Sequence, residues 1–211
     1  MRLHRIEDEY TGRVALRRRF FPLELLSGEG PSRDLLEHEW WIAAIQEPDA
    51  LFRPYPANGW PTTTLPAFDG MWAVLRQSDS LARDFDLRVR RAFFAEGRNI
   101  GRPEIVREIA TEAGADLSRY DHDLSGPVAR AAVLEDARIG REQYHVRGTP
   151  TLMLSDATRL RLPIAYPRIE AKRVVAISPL SCYGRGCDDA MRALFDRALH
   201  GSSEAPPAPA R

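Results

Sequence analysis

Two cysteines, five histidines and one Gly-Thr-Pro-Thr turn are the residues of this 211-residue chain whose types and spacing could do chemistry. Cys182 and Cys187 bracket Tyr183-Gly184-Arg185-Gly186, a Cys-x4-Cys turn whose glycines let the two sulfurs approach. Cys187 stands at the start of the last helix, where the dipole favours a thiolate; Asp188 and Asp189 beside it oppose one. The pair therefore reads either as a redox centre or as an accessory or structural turn, and the acidic neighbours favour the second. The histidines, at positions 4, 38, 122, 145 and 200, have no metal-ligand spacing, so no metal site is expected. His122, between Asp121 and Asp123, reads as a surface residue, whereas His145 stands where it could face a cleft. Neither a Gly-rich phosphate loop after a strand nor a G-x-S-x-G elbow is present.

Composition narrows the partners. Thirty basic and thirty acidic residues cancel to a net charge of zero. An electrostatic nucleic-acid binder carries a surplus of positive charge, so no nucleic-acid partner is expected. The apolar run Trp40-Trp41-Ile42-Ala43-Ala44-Ile45 is far too short to span a bilayer, so neither is a membrane. The opening residues lack the apolar core of a signal peptide, which implies a cytoplasmic protein. Two cysteines are too few for a disulfide framework. Lys172 is the only lysine among thirty basic residues, a coding bias more than a functional choice.

The elements that must position these residues follow from periodicity. Leu3, Ile6 and Tyr10 are spaced as the end of a helix, stopped by Thr11-Gly12. Val14 to Leu23 reads as a strand, with Val14, Leu16 and Phe20 on one face. Its Arg17-Arg18-Arg19 run is a solvated face or edge before it is an anion site. Arg33 to Gln46 reads as a helix. Residues 47–66 carry five prolines with Phe52, Tyr55 and Trp60, and read as a packed loop bridging two lobes or as an aromatic-walled cleft. Helices follow over Pro66 to Gln77, Ser80 to Glu96, Arg102 to Ala113, Asp116 to Leu124 and Pro127 to about Tyr144, with Gly97 and Gly114 as stops. Strand patterns appear at Thr151 to Leu154, at Arg159 to Leu162 as its antiparallel partner, and at Arg173 to Ile177. Residues 188–200 form the last helix, and the Pro- and Ala-rich tail from Ser202 reads as disordered.

Tyr144-His145-Val146-Arg147-Gly148-Thr149-Pro150-Thr151-Leu152-Met153-Leu154, which joins the long helix to an apolar strand, resembles the cis-proline loop of thioredoxin-fold proteins. Only an X-Pro bond makes the cis form cheap, which predicts a cis Thr149–Pro150 bond. The helices carrying Ala92 to Ile100, Ile105-Val106, Ile109-Ala110 and Asp136 resemble the inserted helical domain of the DsbA family. Arg18-Arg19-Phe20-Phe21-Pro22-Leu23 resembles that family's second core strand.

The resemblance implies an α/β thioredoxin-like fold with an inserted all-helical domain. Residues 1–62 and 144–201 would form the thioredoxin-like part and 63–143 the insertion. It implies thiol–disulfide chemistry on a thiol- or disulfide-bearing peptide or small molecule, with Gly148, Thr149 and Pro150 binding the substrate. No cofactor is expected beyond glutathione as a co-substrate. Family members open with a strand and a Cys-x-x-Cys motif, or a serine variant, at the first helix. This sequence starts within that helix, so the first core strand and the nucleophile are expected to be missing, and no catalytic residue is carried over. Such a chain is expected to be inert in thiol exchange by itself. Three functions are compatible with these residues: a DsbA-like thiol–disulfide oxidoreductase or disulfide isomerase, a glutathione-dependent isomerase of aromatic carboxylates, and a non-catalytic binding module. The oligomeric state is not legible in the sequence.

Overall fold

The computed structural model describes residues 2–200 apart from positions 48, 161, 163, 166, 172, 180, 181, 183 and 184. The tail from Ser202 and Gly184 of the cysteine turn therefore lie outside the described residues. The order is α1 (Arg2–Glu9), α2 (Glu24–Ser27), α3 (Arg33–Gln46), α4 (Leu65–Leu75), α5 (Asp79–Phe94), α6 (Pro103–Glu112), α7 (Leu117–Leu124), α8 (Val128–Glu142), β1 (Leu152–Met153), β2 (Arg159–Leu160), β3 (Pro167–Glu170), β4 (Arg173–Ile177) and α9 (Arg185–His200). Apart from the one-turn α2, which no pattern announces, the helices fall where the periodicity places them, within a few residues at each end.

Local chemistry explains their limits. The Ser78 side chain accepts from Leu81 N at the start of α5, and the Asp116 side chain accepts from Arg119 N at the start of α7. Pro103 opens α6, where a missing N–H is harmless. Gly97 and Gly114 take positive φ after α5 and α6, the conformation that stops a helix.

Val14 to Leu23 differs from expectation. Residues 14–22 belong to no helix and join no strand ladder among the described residues. The period-two burial survives: Val14, Leu16, Arg18 and Phe20 are more buried than Ala15, Arg17 and Arg19. Side chains, rather than sheet hydrogen bonds, hold the segment. Phe20 N donates to Asp136 Oδ2 on α8, and the Phe21 ring lies against Gly140, where an added Cβ would come within 2.9 Å of it. The arginines are not an anion site, since Arg18 pairs with Glu7 at 2.6 Å and Arg19 with Asp136 at 2.8 Å.

The β content is correspondingly small. β1 and β2 pair antiparallel with Leu152 opposite Leu160, as the alternation implied. β4 pairs antiparallel with β3, Pro167 standing opposite Ile177. Where an α/β thioredoxin-like fold lacking its first core strand was expected, the described residues form two separate two-stranded sheets in a mostly helical chain. β3 was hidden because Pro167-Arg168-Ile169-Glu170 is only four residues long and opens on a proline, which demotes a strand pattern.

Two apolar clusters hold the chain. The larger gathers Val74, Phe85, Val106, Ile109 and Tyr120 from α4 to α7, joined by Trp40 and Tyr55. Phe52 and Trp60 pack against it, the Tyr55 and Trp60 rings 4.9 Å apart and Trp60 5.3 Å from Phe93. The proline-rich segment is therefore a packed bridge, and its rings do not wall a cleft. The smaller cluster gathers Ile6 of α1, Tyr10 just after it, Leu162, and Met191 and Phe195 of α9, with Leu152 of β1 packed against it.

Candidate functional site

The Gly-Thr-Pro-Thr turn is built at the end of α8. Val146 N donates back to Gly140 O at 2.9 Å, and the buried Val146 side chain anchors the chain as it leaves the helix. His145 adopts φ 50 and is exposed; it does not face the cleft described below. Arg159 of β2 clamps this exit, its Nη2 donating to Tyr144 O at 2.7 Å and His145 O at 3.1 Å. The Thr149–Pro150 bond is cis, as the turn predicts. Thr151 Oγ1 closes the turn by donating to Gly148 O at 2.7 Å.

The loop presents bare backbone. Thr149 and Pro150 are exposed, and among the described residues neither Thr149 N–H nor Thr149 C=O has a hydrogen-bond partner. A Cβ added at Gly148 would meet nothing within 4 Å, so the approach to the loop is open.

Thr149 is also one wall of a cleft of about 370 Å³. Leu3 of α1, Ile42 and Ala43 of α3, Ile164, Pro167 and Met191 of α9 supply apolar wall. The polar lining is Arg2, Glu39, Gln46 and Glu47. Glu39, Ile42, Ala43 and Gln46 recur at the spacing that puts them on one face of α3. A cleft of this size, mostly apolar with a few polar groups, suits a side chain or small molecule.

Most of that polar lining is satisfied internally. Arg2, only 6 % exposed, gives Nε to Asp188 Oδ1 at 3.1 Å and Nη2 to Gln46 O. Gln46 Oε1 accepts from Ala165 N. Arg5 donates to both Asp188 oxygens, at 2.9 and 3.0 Å. Burial pushes the Asp188 carboxyl up, but hydrogen bonds from Arg5 and the charges of Arg5 and Arg2 outweigh it and hold it below the usual range. Glu39 differs: it is half-buried, no partner meets it among the described residues, and burial raises its carboxyl.

Cys182 and Cys187 are joined as a disulfide, with Cα atoms 5.0 Å apart. Cys187 is 1 % exposed and Asp188 after it is taken up by α1. Neither sulfur is thus a free thiol, and the pair is a structural turn in this state. Met191, one turn beyond Cys187, reaches the cleft that Thr149 lines. Among the described residues no group of His, Cys, Asp and Glu could hold a metal ion, and no helix is long and apolar enough to cross a membrane.

Sequence reasoning found the loop but missed Arg159, Glu39 and the Arg2–Asp188 pair. Glu39 left one signal, an acidic residue at the i−3 and i−4 positions to Ile42 and Ala43 on a buried stripe. The Arg2–Asp188 pair left none, because its partners are 186 residues apart.

Comparison with known proteins agrees with this geometry. Residues 67–162, from α4 through the proline loop, match the family model described as thioredoxin. The whole chain is similar in structure to a candidate protein disulfide isomerase from Nitrosomonas europaea seen in a crystal. The TM-score is 0.62 at 17 % identity, over 94 % of this chain and 88 % of that one. At that identity the likeness is one of fold. The chain has a thioredoxin-like fold, residues 67–162 match the thioredoxin family model, and its two cysteines do not form a Cys-x-x-Cys motif.

Proposed function

We propose that this protein recognises thiol- or disulfide-bearing polypeptide in extended conformation at Gly148, Thr149 and Pro150, the recognition step of a DsbA-like oxidoreductase or disulfide isomerase. The observation that carries the reading is the exposed Thr149 backbone, without partners of its own, at the edge of an apolar cleft. An unpaired donor and acceptor side by side are what an added strand needs, and backbone pairing of that kind gives affinity without demanding a sequence. The match of residues 67–162 to the thioredoxin family model supports thiols and disulfides as the substrate class.

Within these 211 residues no Cys-x-x-Cys supplies a nucleophile, so the reading commits to recognition and not to turnover by these residues alone. The domain division expected from the sequence is consistent with the reading, the cleft lying among α1, α3, the proline loop and α9. An isomerase of aromatic carboxylates is less well supported, because Phe52, Tyr55 and Trp60 are spent on the core.

Amide hydrogen exchange tests the reading. A short unstructured peptide with one methylated cysteine should slow exchange at Thr149, and Gly148→Val should abolish binding while leaving thermal unfolding unchanged. Protection confined to other amides, or undiminished binding by the Gly148→Val variant, would overturn it.

A further inference from the structure

We infer that Glu39 makes this cleft selective for substrate polypeptides that carry an arginine or lysine next to the segment held at Thr149. The inference rests on the reading of the loop above and adds the side chain the substrate must bring.

The chemistry of the lining leads there. Thr149 and Glu39 border the same cleft, and the wall around them is Leu3, Ile42, Ala43, Ile164, Pro167 and Met191. Arg2, the cation at this cleft, is already taken by Asp188, Gln46 O and Glu47, the last at 3.6 Å. Glu39 is left facing an apolar space with no cation of its own chain among the described residues. Burial holds its carboxyl above the ordinary range, the mark of a carboxylate that lost water and gained no partner. A chain gains no stability from such a group, and rule-breaking polar residues of this kind concentrate at functional sites. The occupant that satisfies both features has a long aliphatic stem and a cationic end. Arginine and lysine lay such stems along apolar surface and keep the charge at the tip. An acidic side chain would be repelled by Glu39, and a purely aliphatic one would fill the wall but leave the carboxylate unpaired.

Three blocked peptides that differ in one side chain, arginine, norleucine or glutamate beside a methylated cysteine, test the inference by fluorescence anisotropy. Norleucine keeps the stem and removes the charge. The arginine peptide should bind about tenfold tighter than the norleucine peptide, the worth of one charge-assisted hydrogen bond, and the glutamate peptide weakest. In Glu39→Gln the arginine advantage should vanish while norleucine binding is retained, which also shows the variant to be folded. Equal affinities in the unmodified protein, or an arginine advantage that survives Glu39→Gln, would overturn the selectivity and leave the loop reading standing. Failure of all three peptides to bind, with exchange at Thr149 unaltered, would overturn both.

Discussion

Arg2 Nε lies 3.1 Å from Asp188 Oδ1, joining the first turn of α1 to the residue after the disulfide-bonded Cys187. Arg2 is 6 % and Asp188 8 % exposed, so the pair is a buried one, reinforced by Arg5. Further along the same two helices, Glu9 pairs with Arg192 at 2.6 Å and Tyr10 Oη donates to Asp196 Oδ1 at 2.6 Å. The other side of α1 is tied to α5, where His4 Nε2 lies 3.1 Å from Asp86 Oδ2 and Arg83 donates to His4 O. The helix that supplies Arg2 and Leu3 to the cleft is thus held from both sides by charged contacts.

Breaking the Arg2–Asp188 pair should be expensive. Asp188→Asn leaves the buried Arg2 guanidinium with only the more distant Glu47 as counter-charge, a loss of about 3 kcal/mol in urea unfolding at neutral pH. The Asp188 carboxyl is held below its ordinary value of 3.8, so its contribution is present above that value. It fades as pH falls through the depressed value, and the variant and the parent should converge there. A variant as stable as the parent at pH 7 would show that the pair contributes nothing.

Glu39 has the opposite sign. Its carboxyl is raised above the ordinary 4.5 by burial, so the folded state resists its ionisation. Its own contribution to stability is therefore greatest below pH 4.5 and is lost as pH rises through the raised value. Glu39→Gln should unfold at a higher temperature than the parent at pH 7, with the gap closing as the buffer approaches pH 4. Calorimetry across that range checks the sign.

Gly70 marks the tightest helix contact in the larger core. A Cβ there would stand 2.6 Å from Val106 Cγ1 and 2.7 Å from the Tyr120 hydroxyl, both buried. Gly70→Ala should destabilise by about 1–3 kcal/mol, overpacking outweighing the better helix propensity of alanine. Chemical denaturation measures it. Stabilisation would mean that α4 can move away from α6 and α7 freely.

Replacing Cys182 and Cys187 together by alanine separates structure from recognition. The sulfurs close a loop of sequence separation 5. The chain-entropy estimate for so short a loop is about 2 kcal/mol of stability. Peptide affinity at Thr149 should not change, because the loop's own contacts come from Arg159, Gly140 and Thr151. Loss of peptide binding with the fold intact would instead place the disulfide in the site.

What the residues determine by themselves is local. The stripe of Phe85, Val89, Ala92 and Phe93, the Ser78 cap and Gly97 suffice for α5, because helix hydrogen bonds and caps close within a few residues of their origin. Gly148-Thr149-Pro150-Thr151 between a long helix and an apolar strand was equally legible, since proline fixes its own φ and glycine frees the chain to turn beside it. The strands were not. Val14 to Leu23 keeps its alternation, yet a ladder needs a neighbour that no local pattern can promise, and β3 pairs with β4 although its pattern is short and opens on a proline. The cleft belongs wholly to tertiary structure. Thr149 meets Glu39 and Leu3 there only because α3 and α1 fold back across more than a hundred residues. Whether a carboxylate like Glu39 is solvated, paired or left alone depends on which distant charges arrive beside it. Asp188 received Arg2 and Arg5; among the described residues, no cation reached Glu39.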